Sequence, residues 1–481
     1  MAFIRKVKTA SGATAVQIAR KVKGQVVKIN HIGSAHSREE LEVLMTIARK
    51  KLHENQLELF PETPTSAHLG LKQSYSGLLW NLLHDEYEKI GFDQLNDEVF
   101  KALCIARIVE PTSKIDSLRV LSELGYDLFK KTTIFRCLAR VVNQEYRKII
   151  SQACFDHING QTLSLVLYDV TTLYFEIQEG DNYRKPGMSK ERRLEPQIII
   201  GLIVDQRGFP LGLHSFEGNV AETKTILPVI KAFQEQFGLK KLTVVADAAM
   251  LSKTNIMALA EAGYTFIVGS RLQKIPYEIA EYQKTGALID QQIVTSHYEG
   301  YRVIYQYRAK RAALDIRNIE KQIIKAKKAV NGQITAHRMK FLSVKAKSKE
   351  LNEKLIDKAY ALAGIKGYVT NLDIDEQEVI ACYHQLFQVE KTFRMAKSDL
   401  KARPIYHRNR EAIEAHLTIV LAALGISKQI EYKTGISINQ FVKIMRPIRT
   451  GLAVINGNEI LLEPVVPSSV KSIINKLNSG H

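Results

Sequence analysis

The sequence is poor in cysteine, and its cysteines lack the spacing that metal or disulfide frameworks need. The 481 residues include four cysteines, none of them in a CxxC pair. This pattern argues against zinc knuckles and disulfide frameworks and favours buried, reduced thiols in a cytosolic protein. The chain also lacks a G-x-x-x-x-G-K-[ST] motif, which disfavours a phosphate-loop enzyme.

Long hydrophobic runs are scarce as well. We find no apolar stretch that predicts a bilayer-spanning segment, and residues 1–8 lack the apolar core of a signal peptide. These absences predict a cytoplasmic protein without membrane association.

Acidic residues are too few to balance the basic ones. The chain has 50 Asp and Glu residues against 68 Lys and Arg residues, which gives a net charge of +18 and a pI of about 9.5. Such an excess favours a polyanionic partner, and nucleic acid is the usual one, although a basic protein without such a partner is the alternative. The length predicts several domains.

Three carboxylates stand in contexts that suit catalysis. Asp169 and Asp247 each follow an apolar, strand-like run, and Glu390 lies in a helix-like stretch. Mg²⁺ prefers oxygen ligands, and two such ions can activate an attacking oxygen and stabilise a leaving one. The three acids therefore predict a site for two metal ions that transfers phosphoryl groups.

Hydrophobic periodicity predicts a mixed sheet around these acids. The turn at residues 208–210 joins two strand-like runs into a hairpin, and later strands alternate with helices, so antiparallel and parallel strands are both expected. The predicted strands cover residues 163–168, 197–204, 209–216, 242–246, 264–269 and 366–371, with helices at 222–237 and 252–262.

The N-terminal part has signals of its own. Residues 1–35 alternate apolar and basic residues, which predicts a small β-meander. Ser37 and Glu40 then form a capping box at the start of a helix. Two prolines in residues 55–65 predict a linker.

Two basic helices are candidates for DNA contact. A short helix at residues 132–142 carries Arg136 and Arg140 on one face, which suits groove binding, although a helical bundle with a solvated arginine pair is equally open. Residues 308–350 hold thirteen Lys and Arg residues against three acids. This cationic strip favours contact with the DNA backbone, with a solvated surface helix as the alternative.

The glutamate segment resembles a known signature. Tyr383, Leu386, Glu390 and Lys397 have the spacing of the Y-(2)-R-(3)-E-(6)-K motif of DDE transposases of bacterial insertion sequences, in the insertion-sequence-four group. Leu386 stands where that family has arginine. Other segments that are similar to the family are 168–172, 197–205, 208–211, 218–219, Glu222 and 245–247.

This resemblance covers about residues 160–425 and implies a fold and an activity. It implies a ribonuclease H-like mixed-sheet catalytic domain with an insertion before the third acid. It also implies cleavage at the ends of a transposable element and strand transfer into target DNA. Two Mg²⁺ ions, with Mn²⁺ as a substitute, would be held by Asp169, Asp247 and Glu390.

The fold class is accordingly a multidomain α+β protein with a helical N-terminal DNA-binding region beside the catalytic domain. We divide it into a basic β-rich segment and helix (1–65), a helical DNA-binding domain (66–160), the first part of the catalytic core (161–270), a β plus basic helical insertion (271–366), the second part of the core with the Glu390 helix (367–425) and a C-terminal region (426–481).

The expected partners are the inverted repeats at the element ends and the target DNA, bound by a homodimer in a synaptic complex. The resemblance places the protein in the bacterial cytosol, associated with the nucleoid. Lys397 would bind phosphate as a point charge, and Tyr383 would contact the backbone or stack on a base. Further DNA-binding candidates, which could supply the charge missing at Leu386, are Arg394, Arg403, Arg408 and Arg410.

Other interpretations stay open at this point. Taken singly, Asp169 and Asp247 are more often turn or cap residues, and Asp205 and Glu217 are rival ligands at strand ends. A stand-alone nuclease on the same fold would not need the long helical region. A domesticated or inactive sequence-specific DNA-binding protein would not need all three acids.

Overall fold

The computed structural model describes most of the chain. The described residues are 2–9, 12–53, 69–127, 129–177, 179–187, 195–248, 252–270, 272, 274–298, 300–335, 339–345, 348–455 and 458–479. The predicted linker at 55–65 lies outside them.

These residues form strands and helices throughout. The strands are β1 (Ala2–Lys8), β2 (Thr14–Val22), β3 (Gln25–Ala35), β4 (Leu69–Tyr75), β5 (Leu165–Tyr174), β6 (Gln197–Val204), β7 (Pro210–Glu217), β8 (Thr243–Ala246), β9 (Thr265–Ser270), β10 (Ile293–Tyr298), β11 (Tyr301–Tyr307), β12 (Leu342–Lys345), β13 (Ser348–Leu351), β14 (Ile365–Thr370), β15 (Thr450–Ile455) and β16 (Asn458–Leu462).

The α-helices in chain order are α1 (Arg38–His53), α2 (Gly77–Lys89), α3 (Glu98–Val109), α4 (Ser117–Glu123), α5 (Lys131–Asn143), α6 (Tyr146–His157), α7 (Ile226–Phe237), α8 (Lys253–Glu261), α9 (Tyr277–Thr285), α10 (Ala309–Val330), α11 (Glu353–Ala361), α12 (Glu376–His384), α13 (Phe387–Arg394), α14 (Arg410–Thr434), α15 (Ile438–Met445) and α16 (Ser468–Asn478).

The chain forms two compact units. The first joins residues 1–80, 122–126 and 444–471, and the second joins residues 81–121, 127–443 and 472–481. Both units are therefore assembled from segments that are distant in the sequence.

The first unit contains the predicted meander. Strands β1, β2 and β3 pair antiparallel in that order, and Gly24 takes a positive φ of 81° at the turn. The capping box is confirmed in its main contact, because the Glu40 N–H donates to Ser37 Oγ at 3.1 Å. The Glu40 carboxylate accepts from the His36 N–H instead of the cap residue. A second sheet, β16-β15-β4, includes the strand at 69–75, which the sequence analysis missed.

The second unit is built on a mixed eight-stranded sheet with the order β10-β11-β14-β9-β8-β5-β6-β7. Strands β5, β8 and β9 are parallel to one another, and the remaining pairs are antiparallel. All eight residues of β6, which are mostly Ile, Leu and Val, are buried, as in a strand covered on both faces. The predicted mixed α/β sheet is thus confirmed.

The insertion joins this sheet, which the sequence analysis did not anticipate. Strands β10 and β11 form a hairpin, and β11 pairs with β14, so residues 293–307 extend the main sheet. Helix α10 packs through Ile319 and Ala326 against a cluster that includes Phe341 and Ile356. Ile324 of the same helix is 56% exposed, so it lies outside this cluster.

Helix α14 is the central helix of this unit. It packs against α3, α5, α6 and β7. By length and composition it could cross a membrane, which corrects the expectation that no such stretch exists, but 83% of its apolar window is buried within the protein. Its apolar residues therefore form core contacts.

Candidate active site

Asp169 and Asp247 lie next to each other on neighbouring strands. In the parallel ladder between β5 and β8, Tyr168 is the partner of Ala246 in the last pair. The two aspartates follow these partners directly. Asp169 does not end its strand as predicted, because β5 continues beside β6 to Tyr174. It marks instead the point where the parallel ladder stops, and it is half-buried, whereas Asp247 is exposed.

Tyr383 fixes the position of the Asp247 side chain. Its hydroxyl donates to Asp247 Oδ1 at 3.0 Å, and the Ala248 N–H donates to the same oxygen at 2.8 Å. The Tyr383 ring is only 4% exposed and meets the Tyr368 ring edge-on, with centroids 4.9 Å apart. Burial, followed by the charge of Asp247, raises the pKa of Tyr383, so this hydroxyl remains a donor.

Gly269 allows this approach of Tyr383 to the sheet. A Cβ atom at position 269 would lie 2.6 Å from the Tyr383 hydroxyl and 3.2 Å from the Ala248 nitrogen. A side chain there would displace the tyrosine from Asp247. Position 269 on β9 therefore requires glycine, because a side chain there would collide with the Tyr383 hydroxyl.

Glu390 is presented by a helix that packs on β5 and β6. The expected single helix is two helices, α12 and α13, and Glu390 lies in the first turn of the second. The buried Thr392 hydroxyl donates to the Gly208 carbonyl at 2.8 Å, which ties α13 to the β6–β7 turn. Glu390 is exposed and, within the described part of the chain, forms no hydrogen bond or ion pair.

Lys366 on β14 connects the second and third acids electrostatically. Its ammonium lies 4.4 Å from the centroid of the Tyr383 ring. Burial lowers the pKa of Lys366, Arg311 lowers it further, and the charges of Asp247 and Glu390 oppose this shift. The pKa of Lys366 therefore responds to the charges of both Asp247 and Glu390.

The donor chemistry of the three acids suits a hard divalent cation. Asp247 Oδ2 has no hydrogen-bond partner among the described residues, so it is available as a ligand together with Glu390. Within the same part of the chain, no group of three or more His, Cys, Asp or Glu side chains is close enough to hold one metal ion as it stands.

The rival acids are engaged in structural contacts. Asp205 accepts from the backbone N–H groups of Arg207 and Phe209 at 2.9 and 2.7 Å, so it is a turn residue. Glu217 pairs with Lys185. Both carboxylates are therefore engaged in contacts within the protein.

The basic residues predicted to bind DNA fall into two groups, one that follows Glu390 in the sequence and one on α5. Arg394 and Arg408 are exposed, Arg403 and Lys397 are half-buried, and Lys397 lies in a π-helix at Met395–Asp399 that changes the helical register after α13. In the other group, Arg136 on α5 is exposed.

Arg140, on the same helix, also has a structural contact. Its guanidinium donates to the buried Asp97 at 2.6 Å. At the signature position with leucine, Leu386 is only 6% exposed, so this site has no room for a solvated charge.

A cleft of about 700 Å³ opens beside Asp247. Helix α10, helix α11 and strand β14 form its walls, and its basic lining residues are Arg311, Lys340, Lys358 and Lys366. Neither Lys366 nor Arg311 was a candidate site residue on sequence grounds. The signal that could have identified Lys366 is the presence of a lysine within the largely apolar strand at residues 365–370.

The second unit thus has Asp169 and Asp247 beside each other at two neighbouring strands and Glu390 on a helix that packs on the same sheet. The family model described as "Transposase DDE domain" matches residues 160–426, more than half of the chain. The chain therefore belongs to the DDE transposase family.

The chain is also similar to the solved structure of the piggyBac transposase synaptic complex with hairpin DNA, with 11% identity over 77% of this chain and 69% of that chain and a TM-score of 0.39. No curated protein matches the chain.

Proposed function

We propose that this DDE transposase belongs to the insertion-sequence-four group, cuts DNA at the ends of its own element and joins those ends to target DNA. Asp169, Asp247 and Glu390 are its proposed catalytic acids. The observation that supports this most directly is the hydrogen bond from the signature tyrosine, Tyr383, to Asp247. It links the helical signature to a strand acid across 136 residues of sequence.

A ribonuclease H-like fold is part of this proposal. The antiparallel strands β7, β6 and β5, followed by the parallel strands β8 and β9, support it. The domain division given by the sequence analysis is retained as a proposal, with residues 66–160 as the end-binding region.

DDE transposase domains generally use divalent metal ions, and we propose two Mg²⁺ ions here, with Mn²⁺ as a substitute. When bound, such ions activate the attacking oxygen and stabilise charge on the leaving oxygen. The chain contributes the ligands and their positions. Tyr383 orients Asp247, and α13, anchored through Thr392, presents Glu390.

The proposed DNA contacts are Tyr383, Arg394, Lys397, Arg403, Arg408, Arg136 and Arg140. We further propose a homodimer, because a single reaction must bring two element ends together, and a location in the bacterial cytosol. The net charge of +18 supports DNA as the partner.

Cleavage of a labelled duplex that carries the flanking element end tests this function. The protein is assayed with Mg²⁺ and with EDTA, beside Asp247→Asn, which keeps the shape of the side chain and removes its charge. We expect cuts at the element boundary that require the metal and fall on the order of a thousandfold in the variant.

Glu217→Gln is the matched control, because it removes an acid at another strand end that pairs with Lys185. It should cut normally. Specific binding without any cut, equal in the wild-type protein and Asp247→Asn, would instead indicate a DNA-binding protein without catalysis.

A further inference from the structure

The cleft beside Asp247 has a composition that no part of the proposed reaction yet explains. It is lined by four cations and by two acids, Asp247 and Asp315. Asp315 is engaged, because it accepts from the Gly364 N–H at 3.1 Å and lies 3.5 Å from Arg311. Apart from the candidate catalytic acid, the lining is therefore dominated by positive charge.

The remaining lining is mixed. The amides of Asn318 and Gln322 come from α10, and the apolar side chains of Leu355 and Leu362 come from α11 and the residue that follows it. Amides pair with base edges, apolar groups cover sugars and bases, and cations bind phosphates. A volume of about 700 Å³ is that of a small-molecule site and does not accommodate a duplex.

Lys366 stands where this cleft meets the candidate catalytic acids. Its ammonium lies 4.4 Å from the Tyr383 ring centroid, and the Tyr383 hydroxyl is bonded to Asp247. A lysine ammonium binds phosphate as a point charge. Lys366 is thus a basic residue of this cleft that contacts the signature tyrosine.

We propose that the cleft between α10, α11 and β14 binds a single strand of DNA next to the phosphate that is cleaved, and that Lys366 contacts a phosphate of that strand. The inserted segment thereby supplies a strand-binding wall to the active site. This inference rests on the proposed function, because it assigns the substrate strand of that same site.

Binding of a short, labelled single-stranded oligonucleotide in EDTA tests the cleft without any cleavage. Each phosphate contact contributes a slope of roughly 0.7 to the dependence of log affinity on log salt for single strands. We expect Lys366→Met and Lys340→Met each to weaken binding severalfold and to lower that slope by roughly 0.7. Lys366→Arg, which keeps the charge, should retain the slope.

Lys240→Met is the matched control, since Lys240 is an exposed lysine between α7 and β8 that lies outside the cationic strip at 308–350 and does not line the cleft. It should leave the slope unchanged. An equal loss in Lys240→Met and the cleft variants, or no loss in any of them, would overturn the proposal. Displacement of the oligonucleotide by inorganic phosphate at equal phosphate concentration would also overturn it, because the cleft would then be a small-anion site.

The two proposals fail in different ways. A protein that never cuts the element end in Mg²⁺ contradicts the proposed function, whatever the cleft variants do in EDTA. A protein that cuts the element end but binds the single strand equally well with and without Lys366 contradicts only the cleft assignment.

Discussion

At the scale of single residues, the candidate site depends on how one carboxylate is held. Asp247 is exposed, but Oδ1 accepts two hydrogen bonds, from the Tyr383 hydroxyl and the Ala248 N–H. The side chain is thus oriented before any ligand arrives, while Oδ2 stays available. Loss of a partner that orients a metal ligand typically lowers metal affinity or activity about 10- to 100-fold.

Tyr383→Phe removes this orienting bond and keeps the ring packed on Tyr368. We expect cleavage to fall about 10- to 100-fold, with more Mg²⁺ needed for half-maximal rate. A titration of cleavage rate against Mg²⁺ measures this. Tyr146→Phe is the matched control, because it removes a tyrosine hydroxyl bonded to another aspartate, Asp97. Identical behaviour of the two variants would show that the bond to Asp247 has no special role.

At the scale of elements, the third acid depends on where α13 sits. The buried Thr392 hydroxyl contacts the Gly208 carbonyl at 2.8 Å, so the helix is tied to the turn of the β6–β7 hairpin. Val389 and Phe393, on either side of Glu390 in sequence, are buried. The hairpin and the helix together therefore decide the position of Glu390.

Thr392→Val tests this anchor, since it removes the hydroxyl and keeps the shape. It leaves a buried carbonyl unpaired, so we expect a loss of about 1–3 kcal/mol in the free energy of unfolding and slower cleavage. Urea unfolding and the cleavage assay measure the two effects. Thr392→Ser, which retains the hydroxyl, should keep most of the activity. If the Thr392→Val protein cleaves DNA as fast as the Thr392→Ser protein, the hydrogen bond to Gly208 does not position Glu390.

At the scale of the whole molecule, the second unit holds two half-buried histidines, His214 and His407, near cations. Burial, with a smaller effect of Arg147, lowers the pKa of His214 to about 4. Burial, followed by Lys114, lowers the pKa of His407 to about 4 as well. These side chains stay neutral in the folded protein at a pH where the unfolded chain, with an ordinary histidine pKa of 6.5, is protonated.

Because the unfolded state binds more protons below about pH 6.5, the free energy of unfolding should fall as the pH is lowered from there towards 5. Urea unfolding at several pH values measures this. His214→Gln and His407→Gln should each flatten the pH dependence, whereas the exposed His297→Gln should not. If both the His214→Gln and the His407→Gln proteins keep the wild-type pH dependence of the free energy of unfolding, these histidines are not its cause.

The sequence by itself determined the elements and the candidate acids. Alternating and helical periodicity predicted the meander, the strands of the mixed sheet and most helices, because burial of one face imposes a period on the chain. The resemblance of the Tyr383–Lys397 signature, and of the segments around Asp169 and Asp247, indicated the family, to which the match at 160–426 assigns the chain.

Only the tertiary structure decided which residues meet. The bond from Tyr383 to Asp247, the addition of β10 and β11 to the main sheet and the position of Lys366 beside the acids join segments far apart in sequence. Local periodicity carries no information on such contacts, since they depend on strand order and on packing across the sheet. The break between α12 and α13, the engagement of Arg140 by Asp97 and the burial of Leu386 were hidden for the same reason.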